Sequence, residues 1–263
     1  MASPIICEVR NLSVPPLVRG EVSFTLREGD RLCVYGHSAS GKSTLLRALL
    51  GLIPYRGEVI WHVPRVSIGY AGQRPRLIPR ATVLQQILWC AQLHGVYLST
   101  HGSRIHELLE QWGLQAKRRQ AVHRLSLGEQ IRLEMCCALA TASRLLVVDG
   151  VLEQLDEQGR ATFGEEVDTR CARRELALIF ATHSACEADM ADRVLLLHEG
   201  RMFALDTPEH LRALATHEEI QLRSVQARLK RGGEGQEEMH LVLQRMPTVE
   251  DVLRILLRQG GLL

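Results

Sequence analysis

Along this chain, short apolar runs alternate with stretches in which apolar residues recur every three or four positions, which predicts strands interleaved with helices. Residues 5–9 and 22–26 alternate apolar and polar positions as half-exposed strands do, and Glu28-Gly29-Asp30 supplies the turn before a third strand. That third run, Arg31-Leu32-Cys33-Val34-Tyr35, is mostly apolar, as a strand buried in a parallel sheet must be. Leu45, Leu46, Ala48, Leu49 and Leu50 then follow at helical spacing. Residues 57–61 and 66–70 predict two further short strands, ahead of a proline-rich loop from Arg74 to Arg80. From Thr82 to about Met135 the spacing is helical, and interruptions at Gly95, Gly102 and Gly113 predict several helices packed as a separate lobe. Beyond the lobe, residues 144–149 form an apolar strand ending in a carboxylate, and residues 176–183 one ending in an imidazole. Both end at the edge where open parallel sheets bind ligands. Residues 193–198 and 201–205 predict two strands joined by Glu199-Gly200, with a helix starting at Pro208.

The tail from about 218 reads differently. It predicts a small α/β appendage: strands over 220–225 and 239–244, a glycine-rich turn between them, and an amphipathic helix opened by Thr248 with Asp251 as its capping-box partner.

Composition narrows the picture. The chain has 263 residues, 46% of them apolar, enough to bury a substantial core in one α/β domain with an appendage. No apolar run reaches the roughly 18 to 20 residues of a membrane-crossing helix, and the N-terminus lacks an export signal, so a membrane role is expected to work through a partner. A net charge of +2 gives no electrostatic case for nucleic acid, which is not expected as a partner. Seven cysteines with no CxxC pair suggest neither disulfides nor a zinc site, and they fit a reducing cytoplasm. Cys33 and the Cys136-Cys137 pair lie in apolar segments, where they are expected to fill core.

The chemistry concentrates at Gly36-His37-Ser38-Ala39-Ser40-Gly41-Lys42-Ser43-Thr44, which spells GxxxxGK[ST] between a predicted strand and a predicted helix. Glycines there let successive backbone amides turn inward around phosphate oxygens, and the positive end of the helix beginning near Lys42 favours the same anionic charge. Lys42 is expected to reach the β and γ phosphates of a nucleoside triphosphate. Ser43 is expected to offer its hydroxyl to Mg2+, a small hard cation usually held by phosphates, waters and one or two protein groups.

Four further signals follow in order: Gln73 after a strand, the run Leu125-Ser126-Leu127-Gly128-Glu129-Gln130, Asp149 at a strand end, and His183. With the helical segment between Gln73 and Asp149, they resemble the ATP-binding subunit of ABC transporters across residues 1 to about 215. The resemblance implies a P-loop NTPase core of ABC type over residues 1–217, a helical subdomain over about 82–138 and the appendage over 218–263. It implies ATP and Mg2+ as ligands. It makes Gln73 the residue that touches metal and attacking water, Asp149 the carboxylate that holds Mg2+, and His183 a switch near the γ-phosphate. It also implies that two such domains close head to tail, so that Ser126, Leu127, Gly128 and Glu129 of one cover the nucleotide of the other. Ser126 is well suited to cap a helix starting at Leu127, aiming amides at a phosphate.

This sequence departs from that pattern in three places. Gly150 stands where the family has the glutamate that polarises the attacking water, so nucleotide is expected to bind and turn over slowly, a partner supplying at least one catalytic glutamate. Glu153 is the nearest downstream acid, but it falls in the segment ending Leu155-Asp156 that resembles the D-loop at the dimer seam, and it is not expected to substitute. In the signature, Leu127 replaces a glycine and Glu129 an amide. The Glu129 charge would repel a triphosphate unless its side chain turns away or meets a cation. Between Ile5 and Glu21, finally, no aromatic residue is present to stack on adenine.

The runs around Gln73, 81–87, 91–95 and 188–211, with the closing helix from Pro247, resemble ATPases of exporters with ABC-2 type membrane subunits. This implies a polytopic membrane subunit docked near 73–83, a second ABC ATPase in a heterodimer, and a location on the cytoplasmic face of a membrane. Arg74, Arg76 and Arg80 are candidate contacts for the membrane subunit. A regulatory protein that binds ATP with little hydrolysis is the alternative.

Overall fold

The computed structural model describes residues 3–95 and 98–213, with the backbone alone for 98–101. Strands β1 (Ile5–Val14), β2 (Val18–Arg27), β3 (Arg31–Tyr35) and β4 (Arg56–Trp61) come first, with α1 (Lys42–Leu49) between the last two. Strand β5 (Ile68–Ala71) precedes three helices, α2 (Val83–Leu93), α3 (Leu98–Gln111) and α4 (Leu127–Thr141). Then follow β6 (Leu145–Asp149), α5 (Glu157–Ala172), β7 (Ala177–Thr182), the short α6 (Ala185–Ala188), β8 (Arg193–His198) and β9 (Arg201–Asp206); residues 208–213 are helical.

The strands form two sheets. An antiparallel one runs β2-β1-β4, and a six-stranded one runs β5-β6-β7-β3-β8-β9, parallel except for β9. All five residues of β6 and all six of β7 are buried, which is why both read as unbroken apolar runs. Side-chain alternation splits the central strands between two cores. Leu32 and Val34 face α1 and the antiparallel sheet, whereas Cys33, Tyr35 and Phe180 face the core shared with α2 to α5. Register aligns the strand ends: Asp149 lies opposite Ala181, and Thr182 opposite Tyr35. The residues after β3, β5, β6 and β7 therefore meet along one edge.

The expected helices differ from the observed ones in two ways. They are not a separate lobe at the level of the core: Trp112, Leu108 and Ile87 belong to the same buried cluster as Phe180 and Leu146, because α4 packs on β5 and carries the helices with it. Nor does Gly102 break a helix. It lies inside α3, where burial of Ile105, Leu108 and Leu109 outweighs the roughly 1 kcal/mol that glycine costs a helix. Residues 65–67 form a 3-10 turn ahead of β5, and β1 and β2 each extend beyond the alternating segment. Cys33, Cys136 and Cys137 are buried and free, as expected. Among the described residues no helix is long and apolar enough to cross a membrane. The appendage over 218–263 and the boundary at 217 lie outside the described residues.

Candidate nucleotide site

The loop Gly36 to Thr44 leaves the end of β3 and enters α1 at Lys42, where the sequence places the helix start. Gly41 caps that helix at φ 103°, a left-handed conformation suited to glycine. Gly36 passes so close to β8 that an added Cβ would lie 2.1 Å from the Leu197 carbonyl oxygen, and its amide donates to the Thr182 carbonyl at 3.4 Å. Lys42 Nζ donates to the carbonyls of Gly36 (2.6 Å) and His37 (2.8 Å), lying back across its own loop. Burial lowers the Lys42 pKa, while the charges of Glu153 and then Asp149 oppose that shift. His37, Ser38 and Ala39 are exposed at the crest. Ser40 Oγ beneath them is buried without a hydrogen-bond partner, a polar atom left for something the loop encloses. Beside the helix start lies Leu17, whose side chain is exposed and whose carbonyl approaches Gly41.

Asp149, 1% exposed at the end of β6, accepts from Ser43 Oγ at 2.7 Å and from Tyr70 Oη at 3.4 Å. Burial, then the neighbouring Asp149 charge, pushes the Tyr70 phenol up. A carboxylate and a serine hydroxyl together make a hard oxygen donor pair, and among the described residues no cluster of three or more His, Cys, Asp or Glu could hold a metal alone. That donor set fits Mg2+, which takes its remaining ligands from phosphate and water.

Gln73, exposed just beyond β5, reaches the same edge. Its side chain covers the bare face of Gly150: a Cβ at 150 would lie 2.7 Å from Gln73 Nε2, and Gly150 has φ 63°. The loop after Gln73 is tied to the helices, since Glu134 of α4 accepts from the Arg76 amide (3.2 Å) and Gln86 of α2 from the Ile78 amide (2.9 Å). Arg74, Arg76 and Arg80 are all exposed, and Arg76 lies 6.0 Å from the centre of the Tyr70 ring.

Glu153, named in the sequence as the nearest downstream acid, lies against His183, a pairing that spacing did not indicate. The chain after Gly150 makes a 3-10 turn over Leu152–Gln154, and this delivers the carboxylate to the end of β7. There Glu153 Oε1 sits 2.6 Å from His183 Nδ1 and accepts from the His183 amide and from Thr182 Oγ1, each at 3.0 Å. An acid four residues past a strand-end carboxylate, with a strand-end histidine elsewhere in the chain, was the available signal.

The structure thus gathers Gly36 to Thr44, Gln73, Asp149 and His183 at one edge. Ser126 to Glu129 are not part of that gathering. Ser126 caps α4 and forms a reciprocal capping box with Glu129, whose side chain turns back to the Ser126 amide (3.0 Å) and pairs with Lys117. The Lys117 partner, with the Ser126 bonds, lowers the Glu129 pKa. Its charge is thereby answered within its own chain, by turning away and by meeting a lysine. The spacing Ser-x-x-Glu is itself the capping-box signature. Leu127 stands 67% exposed beside it, and a Cβ at Gly128 would meet open space.

A glycine-rich loop joining a central parallel strand to a helix, with a strand-end aspartate bonded to its serine, belongs to the P-loop class of nucleoside triphosphate-binding proteins, and the inserted helices match its ABC ATPase form. The ABC transporter family matches residues 20–152. The chain is 36% identical over 197 residues to the Fe(3+) ions import ATP-binding protein FbpC of Streptomyces avermitilis, covering 71% of this chain and 57% of that protein's length. It is 31% identical over 224 residues to the energy-coupling factor transporter ATP-binding protein EcfA1 of Oceanobacillus iheyensis, covering 78% and 80%. A solved ATP-binding subunit of an ABC transporter superposes with a TM-score of 0.74 at 22% identity, over 80% of this chain and 92% of that one. CbiO1 from Clostridium perfringens, part of the cbiONQ complex, does so at 0.68 and 22%, over 87% and 97%. These two likenesses show the fold. This chain belongs to the ABC transporter family, among its ATP-binding subunits.

Proposed function

We propose that this chain binds Mg-ATP on the Gly36 to Thr44 loop and couples its binding and hydrolysis to transport through a separate polytopic membrane subunit, from the cytoplasmic face of a membrane. The observation that carries this is the Ser43–Asp149 hydrogen bond beneath the Lys42 loop. Ser43 and Asp149 would hold Mg2+, with Gln73 beside it, and the ion would neutralise charge on the phosphates. Lys42, once its carbonyl contacts are exchanged for phosphate oxygens, binds the β and γ groups. Ser126 presents α4 amides to the nucleotide of a second ABC ATPase subunit.

The heterodimer follows from residue 150. Glutamate at the corresponding position of a partner chain would give the pair one fast site, on the partner's own loop, and this chain's own site is the slow one. A Gly150→Glu variant is therefore a pointed measurement. The new side chain must take a left-handed φ, at about 1–2 kcal/mol, and displace Gln73. We expect lowered stability in urea unfolding and less than the roughly 100-fold rate gain a well-placed base provides.

The membrane partner would dock near 73–83, where Arg74 and Arg80 are free to face it. The exporter branch rests on short runs around Gln73 and on a tail outside the described residues, whereas the relatives named above carry import and energy-coupling names. The same Gly150–Gln73 packing favours a second reading, an assembly protein that binds ATP with little hydrolysis. Calorimetry with Mg-ATP on the purified chain tests the site, and absence of measurable affinity in folded protein overturns it. Co-purification from membranes separates the two readings: a polytopic protein with a second ATPase supports transport, and soluble partners alone support assembly.

A further inference from the structure

Position 150 is closed to a carboxylate, yet an acid does reach the site from three residues further on. Gln154 Nε2 donates to the carbonyls of Gly150 (3.1 Å) and Gln73 (3.0 Å), which pins the 3-10 turn between the ends of β5 and β6. Glu153 is thereby anchored on β7 by a backbone amide and a threonine hydroxyl, with its oxygen against His183 Nδ1. A carboxylate at Nδ1 fixes the imidazole tautomer: the proton sits on Nδ1, and Nε2 keeps a lone pair. His183 is 57% exposed, and its strand end is hydrogen-bonded to Gly36 at the root of the phosphate loop.

The surrounding charges agree with this arrangement. Lys42 feels the Glu153 charge ahead of that of Asp149. On the other side, Thr182 Oγ1 also lies 2.6 Å from Glu187 Oε2 and accepts from the Ser184 amide. One hydroxyl hydrogen cannot satisfy two ionised carboxylates. Burial raises the Glu187 pKa, against the Thr182 bond, and the Glu153 charge raises it further, while Arg160 and His183 lower it. Thr182 Oγ1 thus stands between the two carboxylates and ties Glu153 to the end of β7.

We propose that His183 and Glu153 form the water-activating dyad of this chain's own nucleotide site, His183 Nε2 accepting the proton and Glu153 serving as its positioning residue. The proposal rests on the nucleotide-binding reading given above. In the step, the water oxygen bonds to the γ-phosphorus as the bond from that phosphorus to the β–γ bridging oxygen breaks, its electron pair leaving with ADP. One water hydrogen passes to Nε2 and the other stays on the phosphate. The imidazolium, balanced by the Glu153 carboxylate, then releases its proton to solvent.

The test uses the purified full chain with Mg-ATP, following binding by calorimetry and single-turnover hydrolysis with terminally labelled nucleotide. His183→Ala is expected to slow hydrolysis at least about 100-fold. Glu153→Gln, which keeps an acceptor and removes the charge, is expected to slow it ~10- to 100-fold, with the dissociation constant unchanged in both variants. The double variant is expected to be no slower than His183→Ala. Without nucleotide, the imidazole nitrogen spectrum should show His183 protonated at Nδ1 in the native chain and a tautomer mixture in Glu153→Ala. Unchanged rates in the single variants, a tautomer mixture in the native chain, or a native chain that binds nucleotide with no Lys42-dependent turnover overturns the dyad. A folded native chain that does not bind nucleotide overturns the site reading beneath it.

Discussion

Lys42→Ala is expected to weaken Mg-ATP binding by more than about 100-fold while leaving the fold intact. A charge-assisted hydrogen bond contributes about 1.5–3 kcal/mol, and on the proposed reading Lys42 makes two, one to each of the outer phosphates. A loss of about 3 kcal/mol corresponds to a little over two decades in affinity. In the absence of nucleotide the same ammonium holds two loop carbonyls, that of Gly36 part-buried and that of His37 exposed, and neither belongs to the core of the sheet. The variant should therefore unfold at nearly the native temperature. Isothermal calorimetry and a thermal scan on the same sample check both halves, and retained affinity would contradict the assignment of the loop.

Phe180→Ala is expected to be the most damaging single change to stability, at about 3–5 kcal/mol. Phe180 is fully buried in β7, opposite Cys33 of β3 and Val148 of β6, and it faces the core shared with the helices. Its removal leaves a cavity between the sheet and the helices, beneath a strand flanked by those that present the phosphate loop and Asp149. Rigid strands on both sides limit collapse into the space, which puts the cost toward the upper end of the range. Urea unfolding measures it. Since Thr182 and His183 are the next residues but one and two along the strand, nucleotide turnover should fall with stability. A loss under 1 kcal/mol would mean that the core repacks freely around β7.

Much of the fold was legible because its elements are signalled locally. Arg31 to Tyr35, residues 144–149 and residues 176–183 read as buried parallel strands from their apolar runs alone, and all three are strands of the central sheet. The helix start at Lys42 was legible for the same reason: glycines and a strand-to-helix change within a dozen residues carry it. Gly102 was misread since propensity is weak beside the burial of Ile105, Leu108 and Leu109, which lie one turn and more further along. The placement of Glu129 was open because its charge faces either a nucleotide or its own helix start, and the capping box with Ser126 together with Lys117, twelve residues back, decides it.

By itself, then, the sequence determined that this protein carries a phosphate-binding loop on a parallel α/β sheet, with Asp149 and His183 at strand ends and no carboxylate at 150. Those features depend on residue type and short-range spacing, which survive without any knowledge of which strands adjoin. Tertiary structure alone decided that Gln73 closes over Gly150 and that Glu153 meets His183, residues 77 and 30 positions apart. Strand order and register set those meetings: β6 lies between β5 and β7, so whatever leaves its end can touch the ends of both.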